Sequence, residues 1–256
     1  MSPSNATQEM LDSTQYAVDS IRQYEAVYGE DFVSPGGLAM ATELVSLLQL
    51  PPGSKVLDVG CGLGGSAFVM ARDFALIVDG IDLSTNMLSM AEAKRQVHQL
   101  LESVTFTEGD CLQLDCPERY DAIYSRDVFL HIHDKTRLFS VLYAALKPGG
   151  KLLFTDYCCG EKPWGDHFVE YVRNREYCLH TLPDYAELIE AAGFVEVQTR
   201  DLTSRFIEIL NGDLQTIGSS GLPAQDQHQL RQSWLGKLER AESNDHRWGL
   251  FTAQKV

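Results

Sequence analysis

The run Val56-Leu57-Asp58-Val59-Gly60-Cys61-Gly62-Leu63-Gly64-Gly65 constrains this chain more than any other stretch. A short apolar run stops at Gly60, a glycine-rich turn follows, and a helical pattern begins at Ser66. Gly60 and Gly62 let the backbone approach a ligand with no Cβ in the way. A strand feeding such a turn and a helix belongs to α/β folds, whose ligands bind outside the carboxyl ends of the strands. The turn alone also fits a nicotinamide dinucleotide enzyme, or simply a tight turn.

The pattern beyond it alternates strand and helix. Strands are expected at residues 76–81, 104–107, 122–125 and 152–155, with helices at 66–72, 85–97 and 135–146. Such alternation predicts a parallel sheet covered by helices on both faces. Upstream, apolar residues recur at helical intervals over 8–28 and 38–48, and a Pro-Pro-Gly-Ser break at 51–54 precedes the first strand. Downstream, residues 158–181 break the rhythm; rich in Tyr, Arg and His, they read as a helical insertion. A helix at 183–192, a strand at 195–199, a long helix at 223–241 and a last strand at 248–253 complete the reading. The expected organisation is a helical lid over residues 1–50 and a core over 51–256.

Composition narrows the partners. The formal net charge is −15, opposite to the basic face that counterion release rewards in nucleic-acid binders. No apolar run reaches the ~20 residues a membrane span needs, and the polar, acid-containing N-terminus resembles neither a signal nor a transit peptide. A cytoplasmic monomer without nucleic-acid or stable membrane contacts is the expectation. The six cysteines form no Cys-x-x-Cys pair and have no histidine at zinc-finger spacing, so free thiols are expected and no metal site.

Further motifs sharpen the glycine turn. Asp82 follows Gly80-Ile81 at the second strand's end, where an acid can accept both hydroxyls of a ribose. Glu108-Gly109-Asp110-Cys111 closes the third strand, Asp121 to Ser125 is the fourth, and Lys147-Pro148-Gly149-Gly150 precedes the fifth. In this order the motifs resemble class I methyltransferases over residues 55–156. The resemblance implies a Rossmann-like seven-stranded sheet of order 3-2-1-4-5-7-6 and S-adenosylmethionine as cofactor. It further implies that Asp58, Gly60 and Gly62 flank the methionine moiety. Asp82 would take the ribose, Leu83 would lie against adenine, Asp110 would accept from its amino group, and Cys111 would sit beside the ring.

A narrower resemblance rests on Tyr124-Ser-Arg-Asp127 with Leu130-His131, Thr155-Asp-Tyr-Cys158, Glu170-Tyr-Val with Arg175-Glu-Tyr177, and Arg247-Trp-Gly249. Gln15-Tyr16, Tyr24-Glu25 and the run from Gly29 to Leu38 extend it. Together they are similar to phosphoethanolamine N-methyltransferases over nearly the whole chain. That likeness implies a catalytic pair of Tyr16 and His131, and a small phosphorylated amine as substrate. The phosphate would be bound by Tyr157, Tyr171, Tyr177, Arg175 and Lys237, with Asp127 as the amine-binding carboxylate and Val33, Ser34 and Arg126 near the cofactor. Many family chains carry two such domains, and the likeness accounts for one in this sequence. The Asn/Asp-Pro-Pro-aromatic run of base-amino methyltransferases is absent after the fourth strand. Competing readings are a methyltransferase for another small acceptor, such as a sarcosine-like amine or a sterol, and a non-catalytic protein of the same fold.

Overall fold

The apolar run before Gly60 becomes strand β1, Lys55–Val59, buried along nearly its full length. Burial on both faces is why it reads as continuous rather than alternating hydrophobicity. The computed structural model describes residues 12–13 and 17–256. Chain order after β1 is α3 (Gly65–Phe74), β2 (Ile77–Asp82), α4 (Thr85–Val97), β3 (Val104–Glu108), β4 (Tyr120–Arg126), α5 (Lys135–Ala145) and β5 (Leu146–Cys159). Then come α6 (Asp166–Arg175), α7 (Leu182–Ala191), β6 (Val195–Asp201), α8 (Thr203–Ser219), α9 (Ala224–Glu242) and β7 (His246–Gln254). Two helices precede the sheet: α1 (Val18–Tyr28) and α2 (Gly37–Leu48).

The described strands form one sheet of order β3-β2-β1-β4-β5-β7-β6. Pairing is parallel from β3 to β5, whereas β7 runs antiparallel to both β5 and β6. The fold is the class I methyltransferase sheet that the sequence motifs imply.

Two expectations need correction. Only part of residues 158–181 is a helical insertion: β5 continues to Cys159 because β7 pairs with it along Lys151 to Cys159, and α6 follows. Helix α8, to which the sequence reading assigns no element, buries Phe206, Leu210, Asp213, Leu214 and Ile217 at three- to four-residue spacing. Gly212 and Gly218 weaken its local helix signal, but a buried stripe against its neighbours supplies the missing stability.

The segment joining α1 to α2 is tied to the core at two points. Lys94 Nζ bridges Glu25 Oε1 at 2.9 Å and Asp31 Oδ1 at 2.8 Å, and His98 Nε2 lies 2.8 Å from Asp31 Oδ2. The buried Arg126 guanidinium donates to Pro35 O at 2.6 Å and Gly37 O at 3.3 Å. Ile21, fully buried, packs α1 onto Leu63 of the glycine turn and Met87 of α4, a burial that contributes ~1.5–3 kcal/mol.

Gly37, at φ +47°, sits so close to α1 that a Cβ would lie 2.1 Å from Tyr28 O. Gly53 also has a positive φ, +82°, but a Cβ there would meet nothing within 4 Å. We expect Gly53→Ala to cost about 1 kcal/mol of conformational strain and Gly37→Ala about 3 kcal/mol, because backbone must move as well. Urea unfolding of the two variants checks this; equal losses would show that the Gly37 contact relaxes freely.

Candidate active site

The carboxyl ends of β1, β2, β3 and β4 open into one cavity of about 430 Å³, within the ~300–1,000 Å³ range of small-molecule sites. On one side it is lined by Gly60 and Gly62 from the β1–α3 turn, Asp82 and Leu83 after β2, and Asp110 and Cys111 after β3. Gly60 has φ +68°, and a Cβ there would lie 2.3 Å from Val128 Cγ2, so only glycine fits. Asp82 Oδ2 accepts from Gly62 N and its Oδ1 from Ser84 N, both at 2.8 Å. Each carboxylate oxygen keeps a further lone pair for a ligand hydroxyl. Burial pushes the Asp82 carboxyl up in pKa, against these hydrogen bonds. Asp110 Oδ1 accepts from Leu112 N at 2.9 Å.

Val33, Ser34 and Arg126 also line the cavity. Arg126 reaches no carboxylate within ion-pair distance among the described residues; its guanidinium is spent on the carbonyls of residues 35 and 37. Asp58 lies behind the glycine turn and does not line the cavity. Its Oδ2 is buried without a hydrogen-bond partner among the described residues, and its carboxyl is raised to about 7, first by burial and then by the Asp82 charge.

The other side is built from β4, β5, α6 and α9. Asp127, directly after β4, adopts φ +56°, an uncommon region for any residue but glycine. Its Oδ1 accepts from Trp248 Nε1 at 2.7 Å and from Thr155 Oγ1 at 3.1 Å. Its Oδ2 is buried and has no partner among the described residues. Burial raises the carboxyl above the usual range, with Arg126 and the two donors opposing. One turn further, His131 packs edge-on against Tyr177, ring centroids 5.2 Å apart. Burial, then the Arg175 and Lys135 charges, depress its imidazole to about 4.

The structure brings the remaining expected residues together in the same cavity: Tyr157 from β5, Tyr171 and Arg175 from α6, Tyr177 beyond it, and Lys237 from α9. Tyr171 and Tyr177 pack edge-on with ring centroids 5.6 Å apart, and the Arg175 charge acts on the Tyr24 phenol against the effect of burial. Lys237 Nζ lies 4.3 Å over the Trp234 ring, and burial followed by the Arg175 charge lowers its ammonium to about 8. Tyr16 lies outside the described residues.

Sequence reasoning assigned no role to several groups now seen at the site. Tyr24 and Tyr28 line the cavity from α1. Arg240 lies 3.8 Å over the Tyr171 ring; its spacing from Lys237, nearly one helical turn, was the available signal. His246, fully buried, packs its ring on Tyr157, Tyr171, Phe168 and Phe206. Asp12 accepts from the hydroxyls of Ser84 and Thr85 at the start of α4, where the helix dipole favours an anion. Such long-range contacts leave no local pattern.

A methyltransferase-domain family profile matches residues 36–199. Phosphoethanolamine N-methyltransferase 3 of Arabidopsis thaliana is 43% identical over 255 residues, covering 97% of this chain and 52% of that protein. The phosphoethanolamine N-methyltransferase of Plasmodium falciparum is 34% identical over 261 residues, covering 98% of this chain and 97% of that protein. A solved structure of Haemonchus contortus phosphoethanolamine N-methyltransferase 2 is in complex with phosphomonomethylethanolamine and S-adenosylhomocysteine. It matches with a TM-score of 0.93 at 35% identity, over 98% of this chain and 60% of that one. The chain thus spans about half the length of the plant relatives it matches and nearly all of the Plasmodium protein.

The His131 environment makes a direct prediction. With its pKa held near 4, the ring stays neutral at pH 5, where an ordinary histidine is mostly charged. Histidine-labelled NMR spectra, assigned with His131→Gln, are expected to show no His131 titration between pH 8 and 5; a midpoint near 6.5 would contradict the burial described.

Proposed function

Since the chain belongs to the phosphoethanolamine N-methyltransferase family, we propose that it methylates the amine of phosphoethanolamine, or of its mono- and dimethyl derivatives, with S-adenosylmethionine as methyl donor. The observation that carries this reading is a single cavity holding the Gly60–Asp82 cradle on one side and Asp127, Arg175 and Lys237 on the other. The donor set fits the cofactor: a glycine turn that excludes side chains, Asp82 with free lone pairs for hydroxyls, and Asp110 with Cys111 and Leu83 for a purine. When bound, S-adenosylmethionine supplies a sulfonium-activated methyl group; the protein's own residues must prepare the acceptor.

Phosphate recognition falls to Arg175 and Lys237, one a planar fork and one a point charge. Tyr157, Tyr171 and Tyr177 add neutral donors. Asp127 offers to the ammonium its Oδ2, which has no partner among the described residues, while Trp248 and Thr155 hold Oδ1 fixed. A primary ammonium resembling that of lysine has a pKa of ~10.4, so removing its proton at pH 7 costs about 5 kcal/mol. Tyr16 is the proposed relay, its hydroxyl accepting from the ammonium and donating to neutral His131. Phosphate binding neutralises Arg175, one of the charges that weakens His131 as a base. Occupancy of the phosphate site thereby strengthens the relay. The N-terminal segment, tied down by Asp31 and Arg126, acts as the proposed lid that excludes water.

Two experiments test this reading. A labelled methyl-transfer assay should show turnover of phosphoethanolamine or its methylated forms and very little of free ethanolamine. Phosphocholine, whose cation does not titrate, should bind less tightly as pH rises through about 8, where Lys237 loses its charge. Lys237→Met should flatten that dependence in calorimetry. Comparable turnover of ethanolamine would remove the argument for a phosphate site.

The second concerns proton removal. Tyr16→Phe and His131→Ala should each lower kcat by roughly 10²–10⁴, the range for losing an acid–base group, with cofactor affinity unchanged. The double variant should be little worse than the worse single, because the two act as a unit. Single-turnover rates decide it; wild-type rates in Tyr16→Phe with every amine would reduce Tyr16 to a packing residue.

A further inference from the structure

Lysine almost never lies inside a protein unless paired, yet Lys135 at the start of α5 is only 2% exposed. Its ammonium donates to three main-chain carbonyls: Phe129 O at 2.7 Å, Ile132 O, and Cys178 O at 3.1 Å. Phe129 and Ile132 bracket His131 in the chain, and Cys178 directly follows Tyr177. The same two segments are also joined by Cys178 N, which donates to Leu130 O at 2.8 Å.

A counter-charge sits behind this junction. Asp156 near the end of β5 is fully buried and accepts from the Tyr185 hydroxyl. Burial raises its carboxyl to about 7, with the Lys135 charge opposing. Neither Lys135 nor Asp156 lines the cavity. Asp156 acts on Lys135 only as a nearby charge, and burying such charges is weak support for stability, because desolvation consumes most of the attraction. The role of Lys135 is local: every hydrogen bond described for its ammonium ends on a segment that carries a cavity-lining side chain.

We propose that Lys135 is a positioning residue that clamps the His131 turn to the Tyr177 loop, fixing the imidazole and the phosphate-side phenol as one unit. The clamp explains how a short 3₁₀ turn, Phe129–His131, and a loop beyond α6 keep their rings 5.2 Å apart and nearly perpendicular. Without it, both segments depend on the Cys178 N–Leu130 O bond, the long Cys178 Sγ contact to His133 O at 4.0 Å, and ring packing. The inference rests on the functional reading given above, in which His131 serves the amine and Tyr177 the phosphate.

The test is Lys135→Met, which keeps length and removes charge and donors. Below its unfolding temperature, the variant should bind S-adenosylhomocysteine within about threefold of wild type. Phosphocholine affinity measured by calorimetry should fall about tenfold or more, and kcat on the order of 10²-fold, the cost of a ~1 Å misplacement. In a His131→Ala background the same substitution should lower kcat by less than about threefold further, since the group it positions is gone. Should Lys135→Met fail to fold, Lys135→Gln, which retains an amide donor, is expected to show the same split at smaller amplitude. A folded variant with wild-type kcat and phosphocholine affinity overturns the clamp, as does one that loses S-adenosylhomocysteine affinity in equal proportion. A wild-type protein that neither binds phosphocholine nor methylates phosphoethanolamine overturns the functional reading instead.

Discussion

Parallel pairing of β1 through β5 decides where everything else in this molecule can go. β1, β2 and β4 end nearly together, Val59 lying opposite both Ile81 and Ser125, while β5 pairs Thr155 with Arg126 and runs on to Cys159. Gly60, Asp82 and Asp127 therefore leave the sheet along one edge, with Tyr157 just beyond. That edge is where the backbone adopts positive φ, at Gly60 and at Asp127. Strain of this kind, of order 1–3 kcal/mol at a non-glycine residue, persists only where surrounding structure over-determines it. At Asp127 that structure is Trp248 and Thr155 on the side chain and Thr155 O on its N–H.

The electrostatics of the cavity follow a different logic from those of the whole chain. A net charge of −15 repels anions on average, but screening over ~8 Å at physiological salt leaves local clusters to act alone. Arg175, Lys237 and Arg240 form such a cluster, each with an aromatic partner: Tyr24, Trp234 and Tyr171. Burial lowers the Lys237 ammonium first, and the two arginines lower it further. Their mutual repulsion is the electrostatic counterpart of an unfilled cavity, and a phosphate would relieve it. The tyrosines beside that cluster add hydroxyl groups without adding charge.

The sequence made β1 to β4 and the glycine turn legible because their information is local: an apolar run, a turn former, an acid at the strand end. It placed the long helix α9 and the last strand for the same reason. It did not reveal α8, whose internal Gly212 and Gly218 read as breakers while its buried stripe is defined only by its neighbours. Nor did it extend β5 to Cys159, since those residues become strand by pairing with β7. Most cavity-lining residues were legible through resemblance to a family rather than through spacing. Tyr28 was not, nor were Arg240, His246 and Lys135, which stand behind the lining: each acts through a partner distant in the chain or through a main-chain carbonyl, which carries no residue identity to read.

Strand β7 holds a further consequence. It lies between β5 and β6 although it follows both in the chain, and β6 has no other neighbour in the sheet. During synthesis, β6 must wait as an unpaired edge until residues 246–254 emerge from the ribosome and slot in beside it. The same insertion delivers Trp248 to Asp127. A nascent chain halted before that point would hold the Gly60 turn and Asp82 in place beside an Asp127 that lacks its indole donor.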